Sequence, residues 1–140
     1  MSNFIKSYQA NVGLNHTPAY QVSGRPFTTG SVNCTSATKI SFPYATRWVW
    51  VMNRSTVPSQ DVRVGFSEIG VNGDNYFVVD AVATGAHERG FPCPVLKLKV
   101  SEIWISGSSN VDVIAGLTTI PTARTTTTSG PSFSGSVGVG

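Results

Sequence analysis

Between residues 38 and 117, apolar and polar side chains alternate one by one in several short runs. Thr38, Ile40 and Phe42 are separated by Lys39 and Ser41, and Val62, Val64 and Phe66 follow Asp61, Arg63 and Gly65 in turn. Successive side chains of an extended chain point to opposite faces, so this period of two predicts half-buried strands. Asn72-Gly73 separates the second run from Tyr76-Phe77-Val78-Val79. Asn-Gly accepts the positive φ angles of a tight turn, which predicts a hairpin with Asp74 in its turn. Ile103-Trp104-Ile105 and the run from Val111 to Leu117 flank Ser106-Gly107-Ser108-Ser109-Asn110 and predict a second hairpin.

Two runs break the simple alternation. Trp48-Val49-Trp50-Val51-Met52 is apolar at every position, as in a strand covered on both sides. In a two-sheet sandwich only one face meets the core, so the other is expected to lie under the N-terminal arm or a neighbouring subunit. Leu96, Leu98 and Val100 occupy even positions, whereas Ile103 and Ile105 occupy odd ones. A one-residue slip flips faces, so a bulge or corner is expected near Ser101-Glu102.

The runs amount to about seven or eight short strands without helical periodicity, which predicts an all-β fold: a single antiparallel β-sandwich, jelly-roll-like rather than immunoglobulin-like. Cys34, Trp48 and Cys93 stand in the immunoglobulin order, but Pro92 and Pro94 flank the second cysteine and keep it out of a central strand. Three zones follow. Residues 1–33 read as an irregular arm punctuated by Gly13, Pro18, Gly24, Pro26 and Gly30, with no helix or long strand. Residues 34–120 carry the sandwich. Residues 121–140 form a low-complexity tail of Thr, Gly and Ser, a composition that stays mobile unless neighbours hold it.

Composition changes the picture in one respect. The 140 residues hold one domain, and the 40% that are hydrophobic suffice for one core. Only 12% are charged, against about 25% in an ordinary soluble domain. Seventeen Ser and 15 Thr take their place. A surface short of charge is poorly protected against association, which suits a protein covered by its neighbours. The net charge of +3 is scattered, without the basic stripe of a nucleic-acid binder, so no specific nucleic-acid partner is expected. No stretch approaches the ~18 apolar residues of a membrane span. The start Met1-Ser2-Asn3-Phe4-Ile5-Lys6 lacks a signal-peptide pattern, and two cysteines make no disulfide framework. The expectation is a protein made in a cytosol with reduced thiols.

Candidate chemistry is sparse. The acids Asp61, Glu68, Asp74, Asp80, Glu88, Glu102 and Asp112 form no close pair in sequence, and Asp61 and Asp112 are expected to face solvent. His87-Glu88 followed by Cys93 is the one cluster resembling a nucleophile with its base, but the loop between them holds Gly90 and Pro92, and a semi-buried thiol is the expected reading. His16 and His87 lie in different zones, and no metal-ligand spacing, phosphate loop or hydrolase elbow is present. No catalytic, metal or cofactor residue is therefore assigned, and a non-enzymatic protein is expected. Asn15, Asn33 and Asn53 fit the N-glycosylation pattern, read as chance without a secretion signal. Trp48, Trp50 and Trp104 are expected in the core or beneath the arm; the rival reading makes them a platform for a sugar ring or a partner side chain.

Three stretches carry a resemblance: Tyr20-Gln21-Val22-Ser23-Gly24-Arg25-Pro26-Phe27 with Thr29-Gly30-Ser31, then Ile40 to Val51, then Val113-Ile114-Ala115-Gly116-Leu117-Thr118-Thr119-Ile120-Pro121. They resemble the small single jelly-roll structural proteins of tailless or large icosahedral double-stranded DNA virus particles and of some marine phage heads. The resemblance implies a capsid protein of the virion, at the five-fold vertex (a penton) or as a minor capsid or cement protein. Its partners would be copies of itself, such as a pentamer, and other capsid proteins; a glycan or receptor is the alternative partner. The expected interface anchors are Phe4, Tyr8, Tyr20, Phe27, Trp48 and Trp50, since aromatics tend to dominate interface energetics.

Overall fold

A computed structural model describes residues 13–15, 17, 25–81 and 91–140. Its strands are β1 (Arg25–Cys34), β2 (Thr38–Ser41), β3 (Tyr44–Asn53), β4 (Val62–Gly65), β5 (Tyr76–Val79), β6 (Phe91–Pro92), β7 (Glu102–Ser106) and β8 (Ser108–Pro121), with a short helix α1 (Glu68–Asn72) between β4 and β5. They form two four-stranded antiparallel sheets, the first in the order β1-β8-β3-β6 and the second in the order β2-β7-β4-β5. The chain is an all-β sandwich. No helix among the described residues is long and apolar enough to cross a membrane.

Alternation decides what the sheets bury. Val49 and Val51 of β3, Val62 and Val64 of β4, Ile103 and Ile105 of β7, and Val111 and Val113 of β8 are all sealed into one core. β-branched side chains fit a pleated surface with little loss of rotamer freedom, which is why Val and Ile fill a core of this kind. The expected corner falls at Ser101: the chain leaves the edge of the first sheet there and enters β7 of the second. Leu96, Leu98 and Val100 do point inward as their parity implies, but only Leu96 pairs in ladder fashion, with Val49. Thr46 Oγ1 donates to the Leu98 carbonyl at 2.6 Å, and a side-chain bond in that place stops the ladder.

Several expectations are corrected. The arm does not run irregularly to residue 33, because β1 occupies Arg25–Cys34. Pro26 is tolerated because β1 is an edge strand. The Gly30-Ser31 break is absorbed as a bulge, Ser31 taking φ +53°. Strands β4 and β5 pair as expected, but through α1 rather than a tight Asn-Gly turn. Ser67 caps that helix, its Oγ accepting from Gly70 N at 2.9 Å. Neither Asn72 nor Gly73 adopts a positive φ. The second hairpin does not exist: β7 and β8 lie in different sheets, and Gly107 at φ +110° turns the chain between them. A Cβ there would sit 2.6 Å from the Asp61 carbonyl oxygen, so the corner needs glycine.

The tail is tied to its own domain. After a 3₁₀ turn at Thr122–Thr125, Thr125 Oγ1 hydrogen-bonds Ser101 Oγ at 2.8 Å, and Ser132 Oγ accepts from Ser101 N at 3.2 Å. Ser67 Oγ donates to the Val139 carbonyl at 2.7 Å. Two tail hydroxyls, those of Thr125 and Ser132, thus bond to the sandwich, and those of Thr127 and Ser134 bond within the tail.

Candidate interaction surface

The outward side of β3 is unusually apolar for a sheet face. With Val49 and Val51 turned to the core, Trp48, Trp50 and Met52 point away from it and remain half-buried. The ladder sets Trp48 opposite Gly116, Trp50 opposite Ile114 and Met52 opposite Asp112 on β8, and Ile114 in turn opposite Thr28 on β1. A Cβ at Gly116 would lie 2.7 Å from Cε2 of Trp48, so the missing side chain makes the floor on which that indole lies. Trp50 Nε1 donates to the Cys93 carbonyl at 2.7 Å, which fixes the second indole. The result is a shallow groove of about 340 Å³ lined by Thr28, Gly30, Trp50, Met52, Asp112 and Ile114.

Asp112 closes one end of the groove. Its Oδ1 accepts from Ser31 N at 2.8 Å, holding the β1 bulge, and its Oδ2 accepts from Arg54 Nη1 at 3.3 Å. The Arg54–Asp112 pair is open to water, so its contribution to stability is about 0–1 kcal/mol. It is a polar rim on an apolar strip.

The expected anchors separate. Trp48 and Trp50 lie on this groove's face. Of the two expected places, core or beneath the arm, the core is corrected, because Val and Ile fill the space between the sheets and both indoles are half-buried, Trp50 packed against that core. The arm lies mostly outside the described residues. Phe27 turns the other way, its ring edge-on to Phe42 at 5.0 Å against the core. Phe4, Tyr8 and Tyr20 lie outside the described residues, as do His16, His87 and Glu88. Trp104 is also half-buried rather than core. It lies on the outward face of the second sheet, where its Nε1 donates to Glu102 Oε2 at 2.5 Å.

Cys93 is buried, and its Sγ accepts from Val51 N at 3.3 Å. Burial pushes this thiol above its ordinary range despite that hydrogen bond, and the same holds for Cys34. A thiol kept protonated has little nucleophilic character. Asp61 does not simply face solvent; its Oδ1 accepts from Ala81 N at 2.7 Å.

Two residues passed over in sequence carry much of the polar architecture. Asn53, seen only as part of a glycosylation pattern, is fully buried: its Nδ2 donates to the Gln60 and Val79 carbonyls at 2.8 and 3.1 Å. Its Oδ1 accepts from Ser55 N and Ser108 Oγ at 3.1 and 2.9 Å. Glu102 is 6% exposed. The one available signal was position: Asn53 and Glu102 both sit at strand ends beside a change of sheet. The chain matches no family model, no curated protein and no solved structure.

Proposed function

We propose that this chain is a single jelly roll that acts as a virus capsid structural protein, a penton or minor capsid protein without catalytic activity, working through subunit–subunit interfaces in the virion. One observation carries the reading: β1 pairs with β8, β2 with β7, β3 with β6 and β4 with β5. That is the pattern produced when four consecutive strands fold back antiparallel on the next four and the long ribbon rolls into two sheets, the double Greek key common in viral capsid and lectin domains. The groove around Trp50 and Ile114 agrees with it, because an apolar strip with a polar rim is the anatomy of a protein interface.

Light scattering over a range of concentrations tests the reading. A closed ring, in the first instance a pentamer, is expected, since cyclic symmetry fits a site on an icosahedral axis. Ile114→Lys should shift the ring to monomer while its thermal unfolding stays cooperative. Deleting residues 1–24, which stops short of β1, measures what the arm and Phe4, Tyr8 and Tyr20 add to assembly. A wild-type chain that stays monomeric and fails to join particles with other coat proteins refutes the proposal.

A further inference from the structure

The outward face of the second sheet carries a different feature. The tail crosses it, tied by the bonds of Thr125 and Ser132 to Ser101 and of Ser67 to Val139. Between tail and sheet lies a cavity of about 340 Å³ whose lining includes Lys39, Ser67, Glu68, Glu102, Trp104 and Ser129. Glu102 is more than nine-tenths buried, yet no cation lies within salt-bridge distance among the described residues. Its Oε2 accepts from Trp104 Nε1, and its Oε1 has no protein partner among them. Among the described residues, the one side-chain polar atom both sealed from solvent and unpartnered is Asn110 Oδ1. Glu102 Oε1 is therefore open to the cavity. Water donates to that oxygen in the free protein, and a ligand hydroxyl entering the cavity can take the water's place.

We infer that this cavity binds a pyranose sugar, such as the terminal residue of a glycan. Three features select that class of ligand. Trp104 has its N–H edge fixed on Glu102, which leaves the ring as an apolar platform suited to the C–H face of a sugar. Glu102 Oε1 is a free acceptor for a hydroxyl, and such charge-assisted bonds are the stronger kind. Lys39 stands directly opposite Trp104 in the β2–β7 ladder and supplies a donor. It also places positive charge beside the indole, which disfavours a second cation such as a partner's Lys or Arg. A neutral polyhydroxyl with one apolar face satisfies all three groups. The cavity is of the size of small-ligand clefts. It lies on the sheet opposite the Trp50 groove, so it stands or falls independently of the assembly proposal.

The test follows the three indole N–H resonances of the intact ¹⁵N-labelled chain by NMR, with Trp104 assigned through Trp104→Phe. Glucose, galactose, mannose and N-acetylglucosamine are titrated one by one. At least one should shift the Trp104 signal saturably, with a millimolar dissociation constant as suits a ligand of about a dozen heavy atoms. The Trp48 and Trp50 signals should stay put. Glu102→Gln, which keeps shape but not charge, should weaken binding by about fivefold or more. The inference is overturned if no sugar saturates the signal up to about 100 mM. It is equally overturned if lysine amide does so in their place, if Trp48 or Trp50 responds instead, or if Glu102→Gln binds as the wild type does.

Discussion

Asn53→Ala should be among the most destabilising substitutions in this chain. The side chain is completely buried at the end of β3 and uses all four of its hydrogen-bonding positions. Its amide reaches the Gln60 carbonyl and, at the end of β5 in the other sheet, the Val79 carbonyl. Its oxygen holds Ser55 N and Ser108 Oγ, at the start of β8. Alanine removes all four bonds and leaves buried partners without replacements. At about 1 kcal/mol per bond, the loss comes to about 4 kcal/mol. Unfolding entropy scales as about 2.1 cal/mol/K per residue, so a chain of this length should lose about 14 °C in Tm.

Two companions make the assay decisive. Asn53→Asp puts an oxygen where the amide donated, facing two carbonyls, so burial and repulsion raise the new carboxyl's pKa in the fold. A raised folded-state pKa means the proton is bound more tightly by the folded chain. Relief is then complete below about pH 4, the unfolded carboxyl's range, and disappears as pH rises through the folded value. Asn110→Ala is the control, because Asn110 Oδ1 is buried and already unpartnered among the described residues; its cost should stay within about 0.5 kcal/mol. Unfolding in urea, followed by tryptophan fluorescence, measures all three. A loss below about 1 kcal/mol for Asn53→Ala, or equal losses for Asn53→Ala and Asn110→Ala, refutes the claim that this network joins the sheets.

Gly116→Ala drives a methyl group into the Trp48 indole, and should cost about 1–3 kcal/mol and red-shift tryptophan emission as the ring is pushed into water. Cys34 and Cys93 have thiols raised by burial, so the folded chain holds their protons more tightly than the unfolded chain. Stability should be full below about pH 8.5 and fall as pH rises beyond it, a trend that Cys34→Ala/Cys93→Ala should flatten in alkaline denaturation curves. Ser132→Ala strips the buried Ser101 N of its acceptor and should cost about 1–3 kcal/mol, seen as faster amide exchange across residues 125–140 with little change in β3 or β8.

What could be read in the sequence was what one strand decides alone. The alternation at Val62, Val64 and Phe66 and the parity change before Ile103 each depend on neighbours two residues apart, and each has its counterpart in the fold. The run from Trp48 to Met52 turns Val49 and Val51 to the core and leaves its other face half-buried. Failures cluster where the chain changes sheets. Ser106 to Asn110 has the composition of a hairpin turn, but composition does not say whether the next strand returns to the same sheet or crosses to the other. Gly107 answers that through a contact with the Asp61 carbonyl, more than 40 residues away. Ser67-Glu68 is a fair helix start, yet α1 is too short to show periodicity.

The candidate sites follow the same division. Trp50 and Ile114 could be placed on one outward strip only after β3 and β8 were known to be neighbours. Glu102 and Trp104 are two residues apart on one strand and so share a face in any register, but no local pattern calls for burying that carboxyl. The tail does so, through Ser101, Ser132 and Ser67, by hydrogen bonds from residues whose composition alone suggested mobility. The two outward faces carry different chemistry: the groove around Trp50 is lined chiefly by apolar side chains, whereas the cavity at Trp104 has Lys39, Glu68 and Glu102 in its lining. An apolar groove gains by losing water to another protein surface, and a cavity with charged groups beside an indole gains by taking up a small hydroxylated ligand. One domain can present both because each sheet turns only one face to the common core.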